Sequence, residues 1–530
     1  VTVDLLIRGA LVHDGLGNPP VPLDVAISHG RIARLAPRID EPATETIGAA
    51  GLSLCPGFID MHSHSDEAYL IDPHADAKIR QGVTTEVIGN CGMSAAPLGG
   101  VQLDETVSYF ERYGVDVDWR TFGEYVARLE STGLANNCVA LVGHGNLRRI
   151  AVGTSDSRAS DKQLEHMKAL LREALEAGAW GYSTGLIYVP SCFADIEELS
   201  ELAKVSRETG GLYASHIRNE GDTLIEAVAE AIEIGRRAGC RVEISHHKAS
   251  GRGNWGKIQR TLHMMAQARE EGVEVFCDQY PYTASSTYLS AVLPLWAVEG
   301  GNEALLARLN DAAQRARMRD AIRNHPYGDW TKVQIASIGR PDGPNAHAVG
   351  LHAQALGERR GQEPEDAVLD LLVEERAKVS AIYFSMCDAD VERVMTDPHT
   401  TIGSDAGARA VSGPLSTGQP HPRAFGTFPR VLGYYCRERK LLPLEVGIAR
   451  MTGLPAKRLG LHDRGVIREG AWADVVLFDA DKIADRATFD KPQQYPDGVA
   501  WVLVNGVPVV ENGQPGGRLP GQVLRRRTAG

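Results

Sequence analysis

Two histidines spaced by one residue, in Asp60-Met61-His62-Ser63-His64-Ser65-Asp66, are the strongest chemical signal in this 530-residue sequence. They follow the apolar run PGFIDMH, which reads as a strand. Residues two apart on a strand share a face, so His62 and His64 are expected to project together from the strand end. Two convergent imidazoles suit a metal ion, although a lone His-X-His also reads as ordinary surface or core histidines. Three further apolar runs end in a Cys or His: Ile88-Gly89-Asn90-Cys91, Ala214-Ser215-His216 and Ile244-Ser245-His246-His247-Lys248. A fourth, Ile402-Gly403-Ser404-Asp405, ends in a carboxylate. A thiolate with imidazoles favours Zn2+ over Mg2+ or Ca2+, and a carboxylate beside a metal can act as general base and then general acid. Taken alone, Asp405 also reads as a helix N-cap after a strand.

The elements that would position these groups are short apolar runs separated by helix-length amphipathic segments, the pattern of βα units around a parallel sheet. Eight such runs occur: PGFIDMH, VTTEVIGN, NCVALVGH, AWGYST, GLYASH, RVEISH, VEVFCD and TTIGSD. Eight units predict an α/β chain folded as a (β/α)8 TIM-like barrel over residues 56–461, with functional groups at the C-terminal ends of its strands. Residues 1–55 and 462–515 alternate strand-like runs with turns and are expected to join as one small β-sandwich-like domain. The interval from Tyr280 to about His399, between strands 7 and 8, is too long for a loop, and a lid insertion is expected at about 284–345. Residues 516–530, with Arg525, Arg526 and Arg527, read as a solvated, frayed tail.

Composition is that of an ordinary globular protein, 43% hydrophobic and 23% charged. The formal charge of -12 argues against nucleic acid or an anionic membrane as partner and leaves small molecules. Eight cysteines without regular close spacing read as reduced thiols, and the opening VTVDLLIRGALVHDG reads as strand and turn rather than a signal peptide, so a cytoplasmic protein is expected. A homo-oligomer is compatible with all of this.

The ordered set GFIDMHSHSD, GNCG, SHIRNE, ISHHK, GSDA, HPRAFGTFPR, MTGLPAKRLGL and GVIREGAWADVVLFD resembles the amidohydrolase superfamily, and within it the N-acyl-D-amino-acid deacylase (D-aminoacylase) family, over nearly the whole chain. The resemblance implies zinc-dependent hydrolysis of an N-acyl-D-amino acid to a carboxylate and a free D-amino acid. It implies one tight Zn2+ on Cys91, His216 and His246, a weaker second position at His62 and His64, and a catalytic Asp405. The choice of His246 over His247 rests on that resemblance. A substrate carboxylate calls for cations and hydroxyl donors, for which Lys248, Arg423, Arg409, Tyr188 and Tyr282 are the candidates. Lys248 would share the face of His246 if the strand continued to it. The alternatives are a cyclic amidase of dihydropyrimidinase or dihydroorotase type and an inactive scaffold. The first normally carries a bridging Lys at the fourth strand, where this chain has Trp180-Gly181-Tyr182-Ser183-Thr184-Gly185; the second would be expected to lose the ligands that this chain keeps.

Overall fold

Eight parallel strands, buried almost throughout, form the centre of the protein. The structure is a computed structural model describing residues 2–323 and 329–526. In chain order the strands are β1 (Phe58–Asp60), β2 (Val83–Ile88), β3 (Asn137–Ala140, prolonged as Val142–Gly143), β4 (Gly181–Gly185), β5 (Leu212–His216), β6 (Arg241–Ile244), β7 (Val275–Gln279) and β8 (Thr400–Ile402). Burial on both faces explains why they read as near-continuous apolar runs instead of alternating ones. One parallel arc runs β1-β2-β3; the other runs from the prolongation of β3 through β4, β5, β6 and β7 to β8. The free ends of the two arcs lie side by side: Met61 N donates to Ile402 O at 3.3 Å, Asp405 N donates to His62 O at 2.7 Å, and Ser63 bridges Ala406 in parallel register.

The connecting helices bury one stripe each. Helix Leu224–Ala238 buries Leu224, Ala227, Val228, Ala231, Ile234 and Ala238 at helical spacing, and it stops at Gly239, whose φ of 64° closes the last turn. Gly235 within it lets the helix approach β6, because a Cβ there would lie 2.3 Å from Val242 Cγ2. Asp195 caps Ile196–Glu208, and Ser160 forms a capping box on Asp161–Glu176.

Both termini enter one nine-stranded sheet in which Ser53–Pro56 pairs antiparallel with Val475–Phe478. The interval after β7 has its own antiparallel sheet, Ser285–Tyr288, Ser380–Tyr383 and Val333–Ser337, and its own apolar core of residues such as Leu305, Met318, Ile335, Leu356 and Leu369. It does not end near residue 345. The helices Ala353–Arg360 and Pro364–Glu374 and the central strand Ser380–Tyr383 are needed to complete that core.

The C-terminal tail is also not frayed where it is described. Leu524 N donates to Cys138 O at 2.7 Å and Cys138 N to Gln522 O at 2.9 Å, so this segment pairs along β3. Arg525 reaches Glu130 at 2.7 Å, and Arg526 lies over the Trp180 ring while donating to Thr209 O at 2.7 Å. Arg527 falls outside the described residues. No helix among the described residues is long and apolar enough to cross a membrane.

Candidate metal centre and active site

The residues that end the parallel strands meet at one cavity of about 640 Å3, lined among others by Cys91, His216, His246, Asp405, Arg409 and Arg423. Three of these sit in left-handed backbone: Cys91 at φ 53°, His246 at φ 36° and Asp405 at φ 51°. Such conformations cost non-glycine residues of order 1–3 kcal/mol each and concentrate at functional sites. Here each turns the chain sharply just past its strand, and so aims the side chain into the cavity.

Cys91 Sγ lies 3.2 Å from His62 Nε2 and 3.4 Å from His246 Nε2. Burial would raise its pKa, but His62, His246 and His216 around it hold the thiol well below its ordinary value. Cys55 and Cys138, buried without such neighbours, are pushed up instead. His216 is buried, and among the described residues neither of its ring nitrogens makes a well-formed hydrogen bond, although the Cys91 thiol stands beside it. Donor atoms of His62, Cys91, His246 and Asp405 lie within 4.8 Å of one another, as do those of His216, Glu220 and His246. Unpaired buried nitrogens beside a thiolate are costly unless something else takes up the donors, so the set fits a soft divalent cation such as Zn2+.

Asp405 is fixed from two sides. Its Oδ1 lies 3.1 Å from His64 Nε2 and 3.5 Å from His62 Nε2, while Oδ2 lies 2.8 Å from Arg423 Nη1. Burial alone would raise its pKa, but Arg423 and the surrounding histidines hold it well below the usual carboxylate range. Burial likewise opposes protonation of His64, whose pKa the Asp405 and Cys91 contacts nevertheless raise to about 9.

Two carboxylates orient the imidazoles, and the reading of the sequence missed both. Asp278, at the end of β7, lies 3.3 Å from His62 Nδ1 and accepts from His246 N at 2.8 Å. Glu220 lies 2.9 Å from His246 Nδ1 and forms an ion pair with Lys248. A carboxylate behind a ligating imidazole fixes its orientation and tautomer. Asp278 ends the run VEVFCD, and Glu220 stands four residues after His216, a visible though weak signal.

The recognition candidates divide. Lys248 lines the cavity, but not because a strand continues to it: β6 ends at Ile244, His246 turns the chain, and Lys248 Nζ rests on Glu220 and, at 2.8 Å, on His246 Nδ1. His247 points elsewhere, its Nε2 2.8 Å from Thr261 Oγ1. Tyr188 lines the cavity with its ring 5.1 Å from His216 and its hydroxyl 2.7 Å from Thr287 Oγ1. Arg423 donates to Ser286 O at 3.2 Å and lies over the Tyr280 ring. Arg409 lines the cavity with no ion pair among the described residues, and burial lowers its pKa. Tyr282 is not at the cavity; it packs against His421 under Arg430 with its hydroxyl 3.5 Å from Asp485, because the chain reverses after β7.

The chain is similar to known proteins over nearly its whole length. The amidohydrolase family model matches residues 45–510. An N-acyl-D-glutamate deacylase of Alcaligenes xylosoxydans xylosoxydans is 39% identical over 526 residues, covering 99% of this chain and 97% of that protein. The crystal structure of N-acyl-D-glutamate deacylase from Bordetella bronchiseptica, complexed with zinc and a phosphonate mimic of the tetrahedral intermediate, superposes with a TM-score of 0.85 at 38% identity over 99% of this chain and 100% of that one. A D-aminoacylase structure, described by one-metal activation and second-metal attenuation of a binuclear centre, gives a TM-score of 0.83 at 34% identity, covering 99% and 100% of the two chains. The chain belongs to the amidohydrolase family and, within it, to the N-acyl-D-amino-acid deacylases, hydrolases acting on linear amide bonds.

Proposed function

We propose that this protein is a zinc-dependent N-acyl-D-amino-acid deacylase, built on a closed (β/α)8 barrel with a small domain from both termini and a lid formed by the segment after β7. The single observation that carries the reading is the His216 imidazole, buried with no well-formed hydrogen bond to either nitrogen among the described residues, beside a thiolate and a second imidazole. Cys91, His216 and His246 would hold the tight zinc, with His62 and His64 at a weaker second position. Bound zinc supplies the Lewis acidity that polarises the scissile carbonyl and favours ionisation of water.

The protein's own groups do the rest. Asp405 stays ionised because Arg423 and the histidines neutralise it, so it can take a proton from the attacking water and hand it to the departing amine. The Lys248 ammonium is anchored on Glu220, to which the His246 Nδ1–H also donates, and keeps hydrogens for the substrate carboxylate, helped by Arg423 and the Tyr188 hydroxyl. Arg409 adds positive potential at the cavity wall. The lid strand Ser285–Tyr288 lines the same cavity, which supports its part in excluding water. Kinship with deacylases of D-amino acids supports the stereochemistry, and the absence of a lysine at the end of β4 counts against a cyclic amidase.

The test is a panel of N-acetyl D- and L-amino acids assayed for free amine with zinc present, beside elemental analysis of the protein. The expected result is turnover of D substrates by zinc-loaded enzyme. Preferential turnover of hydantoin or dihydrouracil, or a protein that neither binds zinc nor responds to it, would overturn the reading.

A further inference from the structure

The short helix Asp76–Ile79 and its C-terminal turn do not line the cavity, yet they hold the chain beside both partners of the Asp405–Arg423 pair. Lys78 is fully buried, and its ammonium fans out to Asp60 Oδ2 at 2.7 Å, Glu86 Oε2 at 3.2 Å, Ser404 Oγ at 2.8 Å and Ala406 O at 2.7 Å. The last two are the immediate neighbours of Asp405. Asp60 completes the clamp, its Oδ1 accepting from Ser404 N at 2.8 Å and from His62 N at 3.2 Å. Three residues on, buried Gln81 donates from Nε2 to Ala424 O at 2.9 Å and accepts at Oε1 from Phe428 N at 3.4 Å. Those groups belong to helix Arg423–Arg430, which begins with Arg423 itself.

We propose that Lys78 and Gln81 are two positioning residues with separate tasks: Lys78 sets the Asp405 carboxylate for proton transfer, and Gln81 sets the Arg423 guanidinium for the substrate carboxylate. The inference rests on the roles given to Asp405 and Arg423 above. Desolvating an ammonium and two carboxylates is costly, and apolar packing would join the strands as well. What the hydrogen-bond fan adds is direction, at the strained residue whose aim the chemistry needs.

Three variants separate the tasks: Lys78→Met, Ser404→Ala and Gln81→Met. Ser404→Ala removes one arm of the clamp without stranding a buried charge, so it answers the question should Lys78→Met fold poorly. Expected are a fall in kcat of roughly 10- to 100-fold for Lys78→Met and a smaller fall for Ser404→Ala, each with KM nearly unchanged. Gln81→Met should instead act mainly on KM, raising it about five- to tenfold, with a fall in kcat smaller than that of Lys78→Met because Arg423 also pairs with Asp405. Zinc per chain, and the thiolate charge-transfer band of the cobalt-substituted protein, should match the parent in all three. Variants that lose kcat and KM together, in step with lost zinc or folded protein, would overturn the division of tasks. If the parent turns over a cyclic amide instead of N-acyl-D-amino acids, the proposed function falls, while the same split read on that substrate still decides this inference. Crystal structures of the variants decide it without turnover: Asp405 alone should shift in Lys78→Met and Arg423 alone in Gln81→Met.

Discussion

His144 and His216 are both buried imidazoles at the ends of parallel strands, each with a glutamate nearby, and their surroundings differ in one respect. His144 is saturated: Nδ1 lies 2.9 Å from Ser191 Oγ, Nε2 lies 2.9 Å from Glu198 Oε1, and Glu198 is ion-paired in turn with buried Arg148. Among the described residues His216 makes no well-formed hydrogen bond through either nitrogen, its nearest Glu220 oxygen is 4.0 Å away, and burial lowers its pKa. The first cluster sits outside the cavity and the second lines it. A hydroxyl, an imidazole and a carboxylate in a row would suggest a hydrolase triad in a sequence motif. On the proposed reading the satisfied row is scaffolding and the unsatisfied one takes part in chemistry, because internal partners leave nothing for a ligand to bind.

The contrast can be broken most severely at the thiolate. Cys91→Ala is expected to lose the tight zinc and essentially all activity, since it removes the only soft, charged ligand of the proposed set; elemental analysis and turnover read both. A full zinc complement with normal turnover would reduce Cys91 to packing.

Asp405→Asn should keep zinc and lose about 1,000- to 10,000-fold in kcat, the upper part of the range for a general acid-base group, because in the proposed mechanism one carboxylate serves both proton transfers. Loss of metal in that variant would make Asp405 chiefly a ligand. Lys248→Met should lower kcat/KM for N-acyl amino acids by about 10- to 100-fold through KM. An uncharged N-acyl amine lacking the carboxylate is the control. Equal loss on both substrates would mean that Lys248 serves Glu220 and His246 rather than the substrate.

The smallest catalytic effect is expected in the saturated cluster. Glu198→Gln leaves Arg148 buried without its countercharge and should destabilise the fold by about 3 kcal/mol. Its kcat/KM per folded chain should stay within about twofold of the parent, as shown by denaturant midpoints and active-site titration. A large loss of turnover at unchanged stability would erase the distinction between the clusters.

Most of the candidate site was legible because its residues sit where a run of apolar residues stops. Cys91, His216, His246 and Asp405 each follow such a run, and the cavity gathers all four. Family membership was legible for the same reason, since motif order survives without any knowledge of packing. Less could be read of the segment after β7, whose core is assembled from helices and strands nearly a hundred residues apart, so no local pattern marks its end.

What the sequence by itself determined is the parallel-strand architecture, the residue types at the strand ends and the kinship, all of which depend on local periodicity and motif order. Only the tertiary structure decided where side chains beyond those ends point. His246 leaves the strand region, so the alternation that was to carry Lys248 lapses, and Lys248 meets Glu220 instead. Tyr282 turns to Asp485, Arg525 to Glu130, and Lys78 to Asp60 and Ser404 across 18 and 326 residues. The physical reason is common to all of them: a strand fixes side-chain direction by its repeat, whereas past its end direction depends on backbone turns and on partners that only the folded chain brings near.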